Sequence, residues 1–324
     1  MILEEADFID VGADKPRPRM GSALRRTQLK VRRRRIIKER LIEGVLFLAA
    51  ASSVFVTLGI LSILIFESIP FFEHVTLREF LTETEWSPLF DNPKFGILPL
   101  LGGTFLTTTI ALSVAIPVGT IIATFLSEYA PARAREMLKP ILELLAAVPT
   151  VVYGYFALLF VTPALQKIFP EMPGFNALSA GLVMGVMIVP YISSLSEDAM
   201  RAVPNYLREA SFAVGATRLQ TAFKVVIPAA FSGVISAYIL GISRALGETM
   251  VVAIAAGLQP NLTMNPTEPV ATITAFIVQV SMGDLPHGSV GYQSIYVAGL
   301  TLLILTLTFN LIGFALRRRF REVY

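Results

Sequence analysis

Pro204-Asn205-Tyr206-Leu207-Arg208-Glu209-Ala210-Ser211-Phe212-Ala213-Val214-Gly215-Ala216-Thr217-Arg218-Leu219-Gln220-Thr221-Ala222-Phe223-Lys224-Val225-Val226-Ile227-Pro228 is a polar interruption between two long apolar runs. Pro204 suits a first helical turn, where its missing N–H costs nothing. Leu207, Ala210, Ser211 and Val214 then recur at i, i+3, i+4 and i+7, the spacing of one helical face. Gly215 can take the left-handed conformation that ends a helix. Thr217 and Gln220 have capping-box spacing and restart one. Leu219, Ala222, Phe223 and Val226 form the second apolar face, and Pro228 is read as its stop at the membrane. The pattern predicts a rigid helix–turn–helix joining two spans.

Outward from this hairpin the chain is apolar. Six runs are long enough to cross a bilayer: about 44–66, 100–127, 144–166, 174–196, 229–258 and 292–316. Of the 27 Lys and Arg residues, 23 fall before the first run, in the second–third and fourth–fifth loops, and after the last run. Three (Arg78, Lys94, Lys167) lie in the opposite loops, and Arg244 lies inside the fifth run. The positive-inside rule therefore puts both termini in the cytoplasm. Residues 270–282 are apolar but too short to span, and read as an outer-face or re-entrant helix. Residues 1–40 mix charge with Pro and Gly and read as a flexible basic cytoplasmic segment. Arg32 to Arg35 read chiefly as a topology signal and secondarily as a contact for anionic membrane lipid. Residues 41–98 comprise the first span and an acidic outer loop, and 99–320 the core, with its loop at 201–228. Glu43, Glu128, Glu143 and Glu197 lie near span ends and read as interfacial.

Only 16% of residues are charged and 54% are hydrophobic, which excludes a soluble enzyme. There is no cysteine, so disulfides, thiol catalysis and cysteine metal sites are excluded. The two histidines, His74 and His287, lie outside the apolar runs, and no metal-ligand cluster is expected. The positive charge is accounted for by topology, and no nucleic-acid partner is expected.

Arg244 and Glu248 stand four residues apart in the fifth run, which on a continuous helix is one face. Each costs about 2.5–3.5 kcal/mol at a helix centre, so they should face a bundle interior or a water-filled cavity. A permanently charged guanidinium offers a fork of donors suited to an oxyanion. Glu248 could hold it when the site is empty, and could accept a proton from protonated phosphate. Ser243, Thr249 and Ser236 would add hydroxyls. A structural ion pair whose charges cancel is the competing reading. Gly241 and Gly247 serve either close packing or flexibility near a gate. Prolines 117, 149, 163 and 190 can kink their helices, and Thr107, Thr108 and Thr109 should bond to their own helix backbone.

Glu209-Ala210-Ser211, Gly215 after three more residues, and Val225-Val226-Ile227-Pro228 resemble the cytoplasmic coupling loop of ABC-importer permeases. That family pattern is Glu-Ala-Ala, three residues, Gly, nine residues, Ile-x-Leu-Pro. The departures, Ser211 for Ala, Val225 for Ile and Ile227 for Leu, are conservative. Arg244-Ala245-Leu246-Gly247-Glu248-Thr249-Met250 resembles the permease subunits of the bacterial phosphate importer, and its Thr-Met ending resembles their C-type. The resemblance covers about residues 95–320.

It implies an all-α, six-span, type I importer permease in the inner membrane. The implied partners are an A-type permease homologue, a cytoplasmic ATPase dimer and an extracytoplasmic phosphate-binding protein. Glu209, Ala210, Ser211, Gly215 and Pro228 would couple to the ATPase, while Arg244, Glu248, Thr249 and Ser243 would line the phosphate path. The chain has no G-x-x-x-x-G-K-[ST] phosphate loop, so no cofactor of its own is expected; ATP and magnesium would sit on the partner ATPase. The alternatives are a same-fold permease for sulfate or molybdate, and an ion-gradient secondary transporter. The latter often shows inverted repeats, and none is evident here.

Overall fold

The computed structural model describes residues 22–319 apart from 89, 91, 284 and 287, with side chains from residue 38 onward. His287 and residues 1–21, expected to be flexible, lie outside the described residues. The described chain is helical. In order it runs α1 (Ser22–His74), α2 (Leu77–Thr82), α3 (Leu98–Tyr129), α4 (Ala132–Ala147), α5 (Thr150–Gln166), α6 (Ala177–Arg201), α7 (Asn205–Ala213), α8 (Arg218–Ala229), α9 (Phe231–Leu246), α10 (Met250–Ala255), α11 (Ile273–Ser281) and α12 (Val290–Arg319). Residues 22–40, expected to be flexible, are part of α1.

Among the described residues four helices are long and apolar enough to cross a membrane: the Lys38–His74 part of α1, and α3, α6 and α12. The bent pairs α4–α5 (85°) and α8–α9 (76°) raise the number to six if each is one span. Two expected spans are therefore not straight helices. The third breaks at Val148-Pro149, where both residues are extended. Pro149 cannot donate the helical hydrogen bond and biases the residue before it away from helix. The fifth ends at Leu246 and restarts at Met250.

The described chain divides into two compact units, the first ending at Leu61 and the second beginning at Ser62. In the first unit, described side chains such as Phe47, Phe55 and Val56 are exposed and apolar, as expected of a surface facing lipid. In the second unit, α3 and α6 make the central pair. Small residues let their backbones approach: a Cβ on Gly181 would lie 2.7 Å from Ile110 Cβ, and one on Gly119 2.8 Å from Ile192 Cγ2. Around this pair Ala111, Met184, Met187, Ile188, Ile192 and Val251 are fully buried.

A second core lies between the segment 71–97 and α11 and α12. Phe71, Phe80, Trp86, Phe95 and Phe276 meet edge to face, with centroids 5.0–6.4 Å apart. Such pairs contribute about 0.5–1.5 kcal/mol each beyond area burial. This segment also holds an exposed cluster in which Lys94 sits 2.9 Å from Glu85 and 3.6 Å from Glu83. The Glu85 hydrogen bond holds the ammonium above its ordinary pKa.

Three π turns, Phe125–Tyr129, Ala157–Val161 and Ala222–Val226, each end two residues before a proline: Pro131, Pro163 and Pro228. In each, the N–H just after the turn donates to the carbonyl five residues back. At Pro163 and Pro228, where helix continues, widening one turn accommodates a ring that would clash with the i−4 carbonyl of a regular helix, whereas Pro131 lies extended beyond the helix end. Pro228 is thus not the stop expected of it: α8 continues to Ala229, and the chain bends at Ala230. The expected short helix near 270–282 is α11, nine residues long.

Candidate functional site

The hairpin is built from local signals. α7 starts after Pro204, which is extended at φ −60° and ψ 140°. Gly215 has φ +85°, and a Cβ there would meet nothing within 4 Å, so its constraint is purely conformational. Thr217 accepts from Gln220 N–H, while Gln220 Oε1 accepts from Thr217 N–H at 2.9 Å, completing the capping box. Ser211 and Thr221 join the helices through their hydroxyls at 2.9 Å. Glu209, Ala210 and Gly215 are exposed, and so is Pro228. Tyr206, Phe212, Val214, Leu219 and Phe223 are exposed apolar residues on the same hairpin. Val214, one of the four residues of the expected less polar face, is exposed, while Leu207 packs against the buried cluster that contains Met200, Val203 and Val226.

The anchor of this hairpin is a residue the sequence did not single out. Arg208 reaches Glu128 on α3 at 2.9 Å and donates to the carbonyls of Met200 (2.8 Å) and Val203 (2.7 Å). Its side chain is 14% exposed and that of Glu128 6%. A guanidinium satisfying a carboxylate and two carbonyls fixes α7 to the ends of α3 and α6. Glu197 is likewise fully buried, 2.9 Å from Lys139 on α4, with Arg201 3.6 Å away. Glu128 and Glu197 are therefore buried ion-pair partners rather than interfacial groups; Glu43 and Glu143 are exposed as expected.

The second region lies at the break in the fifth run. Arg244 and Glu248 do not share a helix face, because α9 ends at Leu246 and Glu248 stands in the break. Glu248 is 8% exposed, and its Oε1 accepts from Met250 N–H (3.1 Å) and Val251 N–H (3.2 Å). Its carboxylate therefore caps α10. Among the described residues it makes no ion pair with Arg244.

The Arg244 guanidinium instead lies over the Tyr191 ring, 4.1 Å from its centroid, and its buried Nε has no hydrogen-bond partner. Ser243 donates to Asn310 Oδ1 on α12 (3.2 Å), Thr249 to Gly247 O (3.3 Å) and Ser236 to its own helix at Ser232 O. Thr274 on α11 donates to Glu248 O at 2.6 Å, tying the break to that helix. The two glycines separate in role. Gly241 packs against Ile192, whereas Gly247 terminates α9. Thr107 bonds to its own helix as expected, but the buried Thr108 hydroxyl has no partner.

The arrangement offers an unsatisfied guanidinium donor beside a helix break, and an exposed hairpin rigidly tied to the helix ends. Among the described residues no group of His, Asp and Glu could hold a metal.

Residues 115–322 match the family described as binding-protein-dependent transport system inner membrane component, and the chain belongs to that family. It is 38% identical over 234 residues to a probable ABC transporter permease, YqgH, of Bacillus subtilis, covering 72% of this chain and 75% of that one. It is 34% identical to the phosphate transport system permease PstC of Xylella fastidiosa (70% and 74% covered). With a probable PstC of Methanocaldococcus jannaschii it shares 30% (81% and 88% covered).

In fold it is similar to a chain of a bacterial ABC transporter that imports alginate. The TM-score is 0.61 at 14% identity, over 92% of this chain and 100% of that one. A chain of the inward-facing MetNI methionine transporter gives 0.52 at 19%, over 70% and 95%. The fold is that of type I ABC-importer permeases, a multi-pass membrane architecture.

Proposed function

We propose that this chain is the C-type permease subunit of an ATP-driven phosphate importer. The observation that carries the reading is Arg244: a guanidinium with an unpartnered buried Nε, stacked on Tyr191 beside the break between α9 and α10. Nε is closed to solvent in this conformation, so an oxyanion would reach it only as the surrounding helices move, and would then find a donor that the fold has left unspent. The similarity to PstC permeases supports phosphate as the cargo. Ser243 and Thr249 lie on either side of the break and would contact phosphate in transit. Glu248, occupied as a helix cap, positions the break rather than pairing with Arg244.

In this reading the hairpin docks on a cytoplasmic ATPase dimer through Glu209, Ala210, Ser211 and Gly215, with Pro228 shaping the approach to the membrane. Both termini are cytoplasmic. An A-type permease completes the pathway, and an extracytoplasmic protein delivers phosphate. ATP and magnesium are bound by the ATPase. Closure of that dimer moves α7 and, through Arg208, pulls on the ends of α3 and α6 together.

The test is phosphate uptake in cells carrying Arg244→Gln, with assembly checked by copurification of the ATPase. Loss of uptake with intact assembly is expected. Normal uptake would remove Arg244 from the path. Competition of wild-type uptake by sulfate or molybdate as effective as that by phosphate would reassign the cargo.

A further inference from the structure

A polar cavity of 630 Å³ lies beneath the hairpin, lined among others by Glu128 and Tyr129 of α3, Arg135 of α4, Arg201 of α6, Arg208 of α7 and Arg218 of α8. Four guanidinium groups thus face one carboxylate. Arg208 is used up by Glu128 and two carbonyls. Arg201 reaches only Glu197, at 3.6 Å, with half its side chain exposed. Arg135 and Arg218 form no ion pair among the described residues. The cavity therefore carries excess positive charge and at least two uncommitted donor forks, the requirement for a phosphate group.

An adjoining apolar groove of 540 Å³ is lined by Ile121, Phe125, Leu219 and Phe223, and shares Tyr129 with the cavity. A free anion would meet the arginines but leave most of the cavity and all of the groove unused. A molecule with a phosphate head and a hydrocarbon tail would fill both, and basic pockets between membrane helices suit such headgroups.

We propose that the cavity framed by Arg135, Arg201 and Arg218 binds a phosphate-bearing anion, and that an anionic phospholipid is its occupant, with an acyl chain in the groove. Asn205, Arg208 and Phe212 face the cavity at i, i+3 and i+7 of α7. Glu209, about 100° around the helix, does not line it. The headgroup thus braces α4, α7 and α8 without covering the exposed face. If that face docks the ATPase, as proposed above, coupling depends on anionic lipid; the binding itself needs no such assumption.

The experiment counts phosphatidylglycerol and phosphatidylcholine retained by the full chain in detergent, by native mass spectrometry. The comparison is with Arg135→Gln/Arg218→Gln, two positions outside the buried anchor, and with Phe223→Ala. Folding of each is checked by circular dichroism, and the single arginine variants replace the double if it misfolds. Phosphatidylglycerol should be retained over phosphatidylcholine, with retention falling about thirtyfold in the double variant and measurably in Phe223→Ala.

Radiolabelled inorganic phosphate is tested in parallel in an Arg244→Gln background, so that the transport path does not contribute. Phosphate binding that needs Arg135 and Arg218, without lipid retention, would keep the site and make its occupant a free anion. Equal retention of both lipids, or retention indifferent to the arginines, together with no phosphate binding, would overturn the proposal. The importer assignment would stand in that case, because it is read from uptake and ATPase response instead.

Discussion

Arg244 is the residue on which the transport reading turns, and its surroundings make distinct predictions for similar substitutions. Arg244→Lys should lose most phosphate uptake, because an ammonium keeps the charge but neither stacks on Tyr191 nor presents a planar fork. Uptake in Arg244→Lys equal to wild type would mean that charge alone suffices. Glu248 separates capping from proton transfer. Glu248→Gln keeps an acceptor for Met250 and Val251 N–H and should retain transport, while Glu248→Ala should cost about 1 kcal/mol of stability. Thermal unfolding and uptake, measured on both, decide between the roles; loss of uptake in stable Glu248→Gln would restore the proton-acceptor reading.

Arg208 makes a larger prediction. Arg208→Ala leaves Glu128 buried and unpaired, a loss of about 3–5 kcal/mol. Replacing both partners together with apolar residues should be milder, the remaining loss being that of the donors to the Met200 and Val203 carbonyls. The unfolding midpoints of the two variants in detergent test this, and equal losses would contradict it.

At the scale of the element, the hairpin was legible because every signal in it is local. Pro204, Gly215, Thr217 and Gln220 act within a few residues; Gly215, Thr217 and Gln220 take the conformations expected of them, while Pro204 stands extended one residue before the helix rather than in its first turn. Gly215→Val should therefore cost about 1–2 kcal/mol through backbone strain alone, with reduced recovery of the ATPase on pull-down. Gly215→Asn, which tolerates φ +85°, should be nearly silent. Equal impairment by both would point to a contact at Gly215 rather than its conformation.

What escaped the sequence was either non-local or hidden in hydropathy. Glu197 pairs across 58 residues and Glu128 across 80, separations that no spacing rule reports. The break at Gly247-Glu248-Thr249 sits inside an apolar run, so the run read as one helix. A signal was present nonetheless: Glu and Thr directly before Met-Val-Val-Ala have the character of a helix start. The π turns were likewise written as prolines two residues beyond each, but a proline alone does not say whether a helix breaks, kinks or widens.

Across the whole molecule, six apolar runs were visible from composition, and the structure bends the chain where the third and fifth of them begin, joining each to a helix that starts in the preceding loop. That difference matters for mechanism. A bend of 76° between α8 and α9 links the hairpin directly to the helix carrying Arg244. Motion delivered to the hairpin therefore has a covalent route to the proposed anion site.

Away from it, the 257–272 loop is organised by Glu268, whose carboxylate is held below its ordinary pKa by hydrogen bonds from Thr263, Asn265 and Asn261. A depressed carboxylate contributes stability above its unfolded pKa and loses it as pH falls through the folded value. Amide protection at Thr267, whose N–H donates to the Asn265 side chain held by that carboxylate, should therefore be flat at neutral pH and weaken modestly only as pH falls below the usual carboxylate range. Loss beginning near neutrality would show that another group organises the loop.

If the proposed function holds, this chain couples the arrival of phosphate to ATP hydrolysis on a separate subunit, and reconstituting it in lipid with an A-type permease and the ATPase puts that coupling to the test. Hydrolysis is then compared with the binding protein added empty, phosphate-loaded or exposed to sulfate. Stimulation is expected with the phosphate-loaded form alone, and Glu209→Arg should abolish it. An assembled complex whose hydrolysis is the same with all three, or unaffected by Glu209→Arg, would rule out coupling through this chain.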